Sequence, residues 1–128
     1  MALSDAIVQP TIPVTDVEKA KEFYEGKLGL SGGESEDDGG ITYSVGGGTA
    51  IHVYPSPDNA GKSGATLAAW LVDDLEAEVD ELIGNGVTME QYGEPLNTNE
   101  KGIADFEGGE KAAWFTDPEG NIMAIADR

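Results

Sequence analysis

The chain contains no cysteine and only one histidine, His52. The first absence excludes disulfides, thiol nucleophiles and thiolate-bound metals, and the second excludes a metal site built on several imidazoles. Basic residues are scarce as well: 7 Lys and Arg stand against 25 Asp and Glu, a formal net charge of −18. A surface of that sign repels nucleic acid and anionic lipid, so neither is expected as a partner. No apolar run approaches the roughly 18 residues of a membrane span, and the basic and apolar segments of a secretory signal are missing from the start. These absences together predict a cytoplasmic protein.

The acidity needs a reading of its own. The acids are spread along the chain, with one short cluster from Glu34 to Asp38, so they do not form an interaction tail. Disorder conflicts with 39% hydrophobic residues arranged in periodic blocks. Halophilic adaptation fits: in molar salt the Debye length shrinks to about 3 Å and the repulsion is screened. A merely acidic protein of ordinary habitat is the alternative.

What is present is a repeat. Val14-Thr15-Asp16-Val17-Glu18-Lys19-Ala20 returns as Val72-Asp73-Asp74-Leu75-Glu76-Ala77-Glu78, each copy following an apolar stretch and opening a helical pattern at an Asp that can cap it. The first copy reads as a strand over Ala6 to Val14, a helix from Val17 to Lys27 stopped by Gly29, and strands over Leu30 to Glu36, Ile41 to Val45 and Thr49 to Tyr54. The second reads as a strand over Thr66 to Val72, a helix from Asp74 to Gly84, and strands over Val87 to Gln91, Ile103 to Phe106, Lys111 to Phe115 and Ile122 to Ala126. A polar loop from Tyr92 to Gly102 is long enough to suggest a functional lid. The predicted organisation is one domain, 1–128, made of a first βαβββ module (6–54), a linker (55–65) and a second βαβββ module (66–128).

Ile12-Pro13-Val14-Thr15-Asp16, Phe23-Tyr24 followed by Lys27-Leu28-Gly29-Leu30, Val72-Asp73-Asp74-Leu75, and Trp114-Phe115-Thr116-Asp117-Pro118-Glu119-Gly120-Asn121 occur in that order along nearly the whole chain. The ordered set resembles the vicinal oxygen chelate superfamily, which holds glyoxalase I, extradiol dioxygenases and bleomycin-resistance proteins. The resemblance implies an α+β fold in which two βαβββ modules form a curled mixed sheet around a central cavity, with helices on the outer face. It also implies frequent dimers, some exchanging modules, so a homodimer is expected.

Catalytic members of that superfamily resemble one another in a divalent metal site with one ligand position on the first and last strand of each module. In this sequence those positions fall on Gln9, His52, Leu67 and Ala124. Leu and Ala have no donor atom, and three protein ligands is the usual minimum for a catalytic centre. No cofactor is therefore expected, a divalent metal being the less favoured alternative.

Strand alternation places Gln9 and Thr11 on one face, His52 and Tyr54 on one face, Leu67 with Ala69 and Leu71, and Trp114 inward, with Trp70 packed behind the sheet. Together with Tyr92 from the long loop, these residues predict an apolar pocket with one imidazole, one amide and aromatic walls, suited to a small, partly apolar or aromatic molecule. A small-molecule binding protein of the bleomycin-resistance kind is favoured. The alternatives are a metal-dependent lyase, isomerase or dioxygenase using Gln9 and His52, and a structural or regulatory dimer with a vestigial cavity. Whether the protein is an enzyme, and what its catalytic residues would be, stay open at this level. Asp73-Asp74 reads as helix-capping, and Gly46-Gly47-Gly48 as a strand-to-strand turn with no helix or Lys to hold phosphate.

Overall fold

The protein is described from a computed structural model covering residues 2–127. Met1 and Arg128, the outermost residues of the predicted domain, lie outside the described part. Each half runs strand, helix, three strands. The first comprises β1 (Thr11–Val14), α1 (Val17–Lys21) continued by a π-helical segment (Glu22–Lys27), β2 (Glu34–Ser35), β3 (Ile41–Ser44) and β4 (Ala50–Pro55). The second comprises β5 (Thr66–Val72), α2 (Leu75–Gly84), β6 (Ile103–Asp105), β7 (Lys111–Thr116) and β8 (Ile122–Asp127). The strand orders are β1-β4-β3-β2 and β5-β8-β7-β6, so in each sheet the first strand runs parallel to the last and the others are antiparallel. The fold is α+β with two alike βαβββ modules, as the repeat predicts. The sheets are not closed into one: each keeps its own set of four strands.

Both helices begin where the repeated Asp predicts. Asp16 Oδ1 accepts from the N–H groups of Glu18 (3.0 Å) and Lys19 (3.2 Å), and Asp74 Oδ1 accepts from Ala77 N–H (3.2 Å). The first helix widens after Lys21, with Leu28 N–H reaching back to Phe23 C=O at 3.0 Å. This places two consecutive bulky residues, Phe23 and Tyr24, inside the protein. Gly29 then takes the left-handed φ of 78° that ends the helix.

One apolar core serves both modules. Ile12, Val14, Ile51 and Val53 from the first sheet, Phe115, Met123 and Ile125 from the second, and Phe23, Tyr24, Leu75 and Val79 from the helical segments belong to a single cluster. The helical segments therefore pack on the core faces of the sheets. Phe23 contacts Phe115 of the other module, with ring centroids 6.3 Å apart, and Trp70 stacks on Phe115 at 6.1 Å.

A buried polar clasp joins the modules. Asp117 and Asn121 are 5% and 1% exposed. Asp117 Oδ2 accepts from Tyr24 O–H (2.8 Å) and from Asn121 Nδ2 (2.9 Å), while Asn121 Nδ2 also reaches Pro13 C=O at 2.8 Å and Asn121 Oδ1 accepts from Gly61 N–H at 3.0 Å. Glu119 Oε2 accepts from Thr15 and Asp16 N–H at 2.9 and 3.1 Å. The Asp-Pro-Glu-Gly-Asn turn thus ties the start of the first helix and the linker to the second sheet.

Several expected strands are shorter. β1 starts at Thr11 rather than Ala6, because residues 6–10 find no ladder partner beyond Pro10 C=O to His52 N–H. β2 keeps only Glu34–Ser35, and the expected strand at Val87 to Gln91 is reduced to one bridge, Met89 to Phe115. On β5 the register slips between Thr66 and Ala68. This bulge at Leu67 breaks the expected alternation, and Leu67 packs against the core cluster.

Candidate functional site

Each sheet has a core face and an open face. In the first module the alternation of β4 buries Ile51 and Val53 and leaves Ala50, His52 and Tyr54 half-buried on the other side. Thr11 pairs with His52 along β1, so it stands beside the ring, and Thr42 pairs with His52 across β3. Gln9 precedes β1 and is exposed.

The imidazole has a partner at each nitrogen. Thr42 Oγ1 lies 2.9 Å from Nδ1, and Asp38 Oδ2 lies 2.7 Å from Nε2. Asp38 Oδ1 accepts Gly40 N–H at 2.8 Å. The hydrogen bond from His52 and that backbone N–H hold the Asp38 carboxyl below the usual carboxylate range. Tyr54 lies beside the imidazole with parallel planes (4°) and centroids 5.7 Å apart.

The second module's open face is built differently. Trp114, half-buried, pairs with Ala124 on β8, and Ala124 pairs in turn with Ala69 on β5. Ala112 pairs with Ala126 on one side and Ala104 on the other. Ala104, Ala112 and Ala124 are buried yet stand outside the shared core cluster, on the Trp114 side of the sheet. The indole therefore stands on a floor of alanine methyl groups, with Ile122 and Leu71 farther out on the same face. The edge of Tyr92 meets it at 5.6 Å and 81°. Burial raises the Tyr92 phenol above its ordinary value, with Glu90 adding to the effect.

Tyr92 is placed by the long polar loop. Met89 pairs with Phe115 and Ile103 with Ala113, so the chain leaves the edge of the second sheet and returns to it two rungs on. The ends touch: a Cβ on Gly102 would come within 2.9 Å of Met89 Cβ. That is the form of an Ω-loop. Tyr92 N–H donates to Thr98 Oγ1 at 2.7 Å, and Lys101 pairs with Asp80 of α2 at 2.9 Å.

The seven predicted site residues thus divide. Thr11, His52 and Tyr54 share the first open face, Tyr92 and Trp114 share the second, Gln9 is peripheral, and Leu67 lies against the core. Among the described residues, the ring contacts of His52, Tyr54, Tyr92 and Trp114 stay within their own module. A cavity of about 440 Å³ lies at the seam between Pro10, Gly46 and Ile51 of the first module and Ala68, Trp70 and Leu71 of the second, and its wall holds none of the seven. Asp38, Thr42 and the alanine floor are absent from the predicted set. Thr42 was legible as the inward position of a strand that a tight glycine turn folds onto His52. Asp38 was not, because an acidic turn reads as solvated surface.

A chelated divalent ion does not fit these residues. Leu67 and Ala124 carry no donor, Gln9 stands before the strand, and both nitrogens of His52 are engaged. Among the described residues, no three His, Asp or Glu side chains cluster to hold an ion.

Two open sheets of βαβββ topology with aromatic groups on their free faces define a class of paired-module protein. The Glyoxalase/Bleomycin resistance protein/Dioxygenase superfamily matches residues 6–125, and the chain belongs to it. Solved structures agree in fold. A glyoxalase/bleomycin resistance protein from Catenulispora acidiphila is 18% identical, covering 95% of this chain and 97% of its own, with a TM-score of 0.71. A superfamily member from Sphaerobacter thermophilus is 21% identical, covering 96% and 97%, with a TM-score of 0.69. An antibiotic binding protein, TnmS3 from a Streptomyces species, is 22% identical, covering 95% and 94%, with a TM-score of 0.67. No curated protein matches the sequence.

Proposed function

We propose that this protein binds a small, partly apolar or aromatic molecule without a metal ion, and does so as a cytoplasmic homodimer. The observation that carries the reading is Trp114, half-exposed on a floor of alanines with Tyr92 as an adjoining aromatic wall. Alanines around one indole leave room for a flat partner, and an apolar surface with few polar groups favours such a partner over a charged one. A structural neighbour that binds an antibiotic supports this reading over catalysis. The missing donors at Leu67 and Ala124 favour it over a metal-dependent lyase, isomerase or dioxygenase. The absence of cysteine suits a reducing compartment.

Charge distribution supports a second copy as partner. Residues 6–15, 39–57 and 63–72 contain no Asp, Glu, Lys or Arg, although a quarter of the chain is charged. These stretches include β1, β3, β4 and β5 and the whole wall of the seam cavity. β5 is a sheet edge, and its Leu71 is 62% exposed. Two copies of a chain carrying −18 repel each other least across a face free of that charge. A second copy seated there would bring the open face of one chain's first module toward that of its partner's second.

Fluorescence tests the binding reading. Apolar aromatic ligands should quench the indole emission; Trp114→Phe should remove most of that response, and Trp70→Phe should retain it while lowering stability. A response lost with Trp70 and kept with Trp114 overturns the assignment. A melting point raised by many degrees by one of Zn, Ni, Mn or Fe alone would overturn the metal-free part, since a tight site adds about 2.7 kcal/mol at a hundredfold excess over its Kd.

A further inference from the structure

Three polar side chains on the first module's open face form one hydrogen-bonded line, Asp38 to His52 to Thr42. The line is fixed at both ends. Thr42 is set opposite His52 by the register of β3 and β4. Asp38 is held by Gly40 N–H, and Gly40 lies so close to β4 that a Cβ there would overlap the Val53 carbonyl oxygen and sit 2.9 Å from Tyr54 Cα. The acidic turn is thus seated on the strand that carries His52.

The line has a direction. An ionised carboxylate accepts and does not donate, so the proton of the neutral imidazole sits on Nε2. Nδ1 then holds a lone pair, and the only proton that can reach it is that of Thr42 O–H. Once this proton points at the ring, Thr42 Oγ1 presents only lone pairs to anything approaching the open face. His52 offers such a molecule no nitrogen. What remains is an acceptor oxygen beside the flat faces of His52 and Tyr54.

We infer that Asp38 is a positioning residue: by fixing the tautomer of His52 it makes Thr42 Oγ1 an obligate hydrogen-bond acceptor. The first module thereby selects small aromatic ligands carrying a hydroxyl or N–H donor over isosteres that lack one. A wall that places an acceptor in a half-buried position discriminates in this way because the wrong isostere leaves the acceptor unpaired. The selection rests on the binding reading above; the tautomer does not.

Two measurements on the full chain test the two parts separately. The first is the imidazole 15N spectrum at about pH 8.5, roughly two units above the ordinary imidazole value. The native protein should show a neutral ring protonated on Nε2, Thr42→Val should keep that state, and Asp38→Ala should show a mixture of tautomers. A native ring protonated on Nδ1 or on both nitrogens, or an Asp38→Ala spectrum unchanged from native, overturns the positioning role. The second is NMR titration with indole and N-methylindole. The native protein should prefer indole by about threefold to tenfold, the range of one net hydrogen bond, and Thr42→Val should remove the preference. A preference that survives Thr42→Val overturns the selection. If neither indole binds the native protein, the binding reading fails and the selection with it, while the spectrum still decides the tautomer.

Discussion

β4 and β8 occupy the same place in their modules, last in sequence and second in the sheet, yet one sets His52 and Tyr54 on its open face and the other Ile122, Ala124 and Ala126. The neighbouring strands differ in the same sense: β3 adds Thr42, whereas β7 adds Ala112 and Trp114. The first face is directional, held by hydrogen bonds, and the second offers mainly apolar area, with Thr116 and Thr66 toward one end. Their core faces do not diverge in this way; both contribute aliphatic and aromatic groups to one cluster. The difference teaches that the repeated unit is constrained where it must pack and free where it meets solvent or ligand. The clasp at Asp117 and Asn121 belongs to the constrained side, because it joins the modules to each other.

The sharpest break of that comparison is between adjacent residues. Phe115→Ala, on the core face, should cost about 3–5 kcal/mol by chemical denaturation, as removal of a buried aromatic does. Trp114→Ala, one residue away on the open face, should cost under about 2 kcal/mol and abolish the ligand-induced fluorescence change. Equal costs would mean that the second open face is covered and packed like a core.

The clasp comes next. Asn121→Ala removes donors from Asp117 and Pro13 and an acceptor from Gly61. Leaving such buried groups unpaired should cost about 2–3 kcal/mol. A loss below about 0.5 kcal/mol would show that the modules are held together by the apolar core alone.

Two buried tyrosines of the first module, Tyr24 and Tyr43, sharpen the comparison by pH. Burial and the Asp117 carboxylate raise the Tyr24 phenol far above its ordinary value, and burial with Glu25, which accepts its O–H at 2.6 Å, does the same for Tyr43. A phenol of the unfolded chain titrates near 10. Folded values above that leave stability intact below about pH 10 and reduce it as pH rises further. Denaturation midpoints should therefore fall as pH rises above about 10, less so in Tyr24→Phe, which at neutral pH should be less stable because Asp117 loses a partner. A midpoint flat across that range would remove both tyrosines from the account.

The smallest effect concerns the surface that both modules share. We expect the unfolding midpoint to rise between dilute buffer and about 2 M KCl, with part of the rise persisting above about 0.5 M, where screening is nearly complete and only strengthened apolar burial remains. A midpoint that is flat or falling would detach the acidity from salt adaptation.

Much of this was readable before any coordinates. The capping Asp16 and Asp74 and the stop at Gly29 announce themselves because a helix end is a local problem of unpaired N–H and C=O groups. The burial of Ile51 and Val53 against the exposure of His52 and Tyr54 follows from the two-residue period of a strand. The bulge at Leu67 did not announce itself, since one extra residue changes a ladder without changing composition. Nor did the clasp: Tyr24 and Asp117 are 93 positions apart, and their bond exists only once the modules pack.

The sequence by itself determined the repeat, the two helices, the strand faces apart from the start of β5, and the charge-free stretches, because each depends on neighbours a few residues away. The tertiary structure alone decided that the sheets share one core while staying open. It also turned an acidic surface turn into the partner of the only histidine. Those outcomes depend on register and packing between distant segments, where a shift of one residue exchanges every side chain between core and open face.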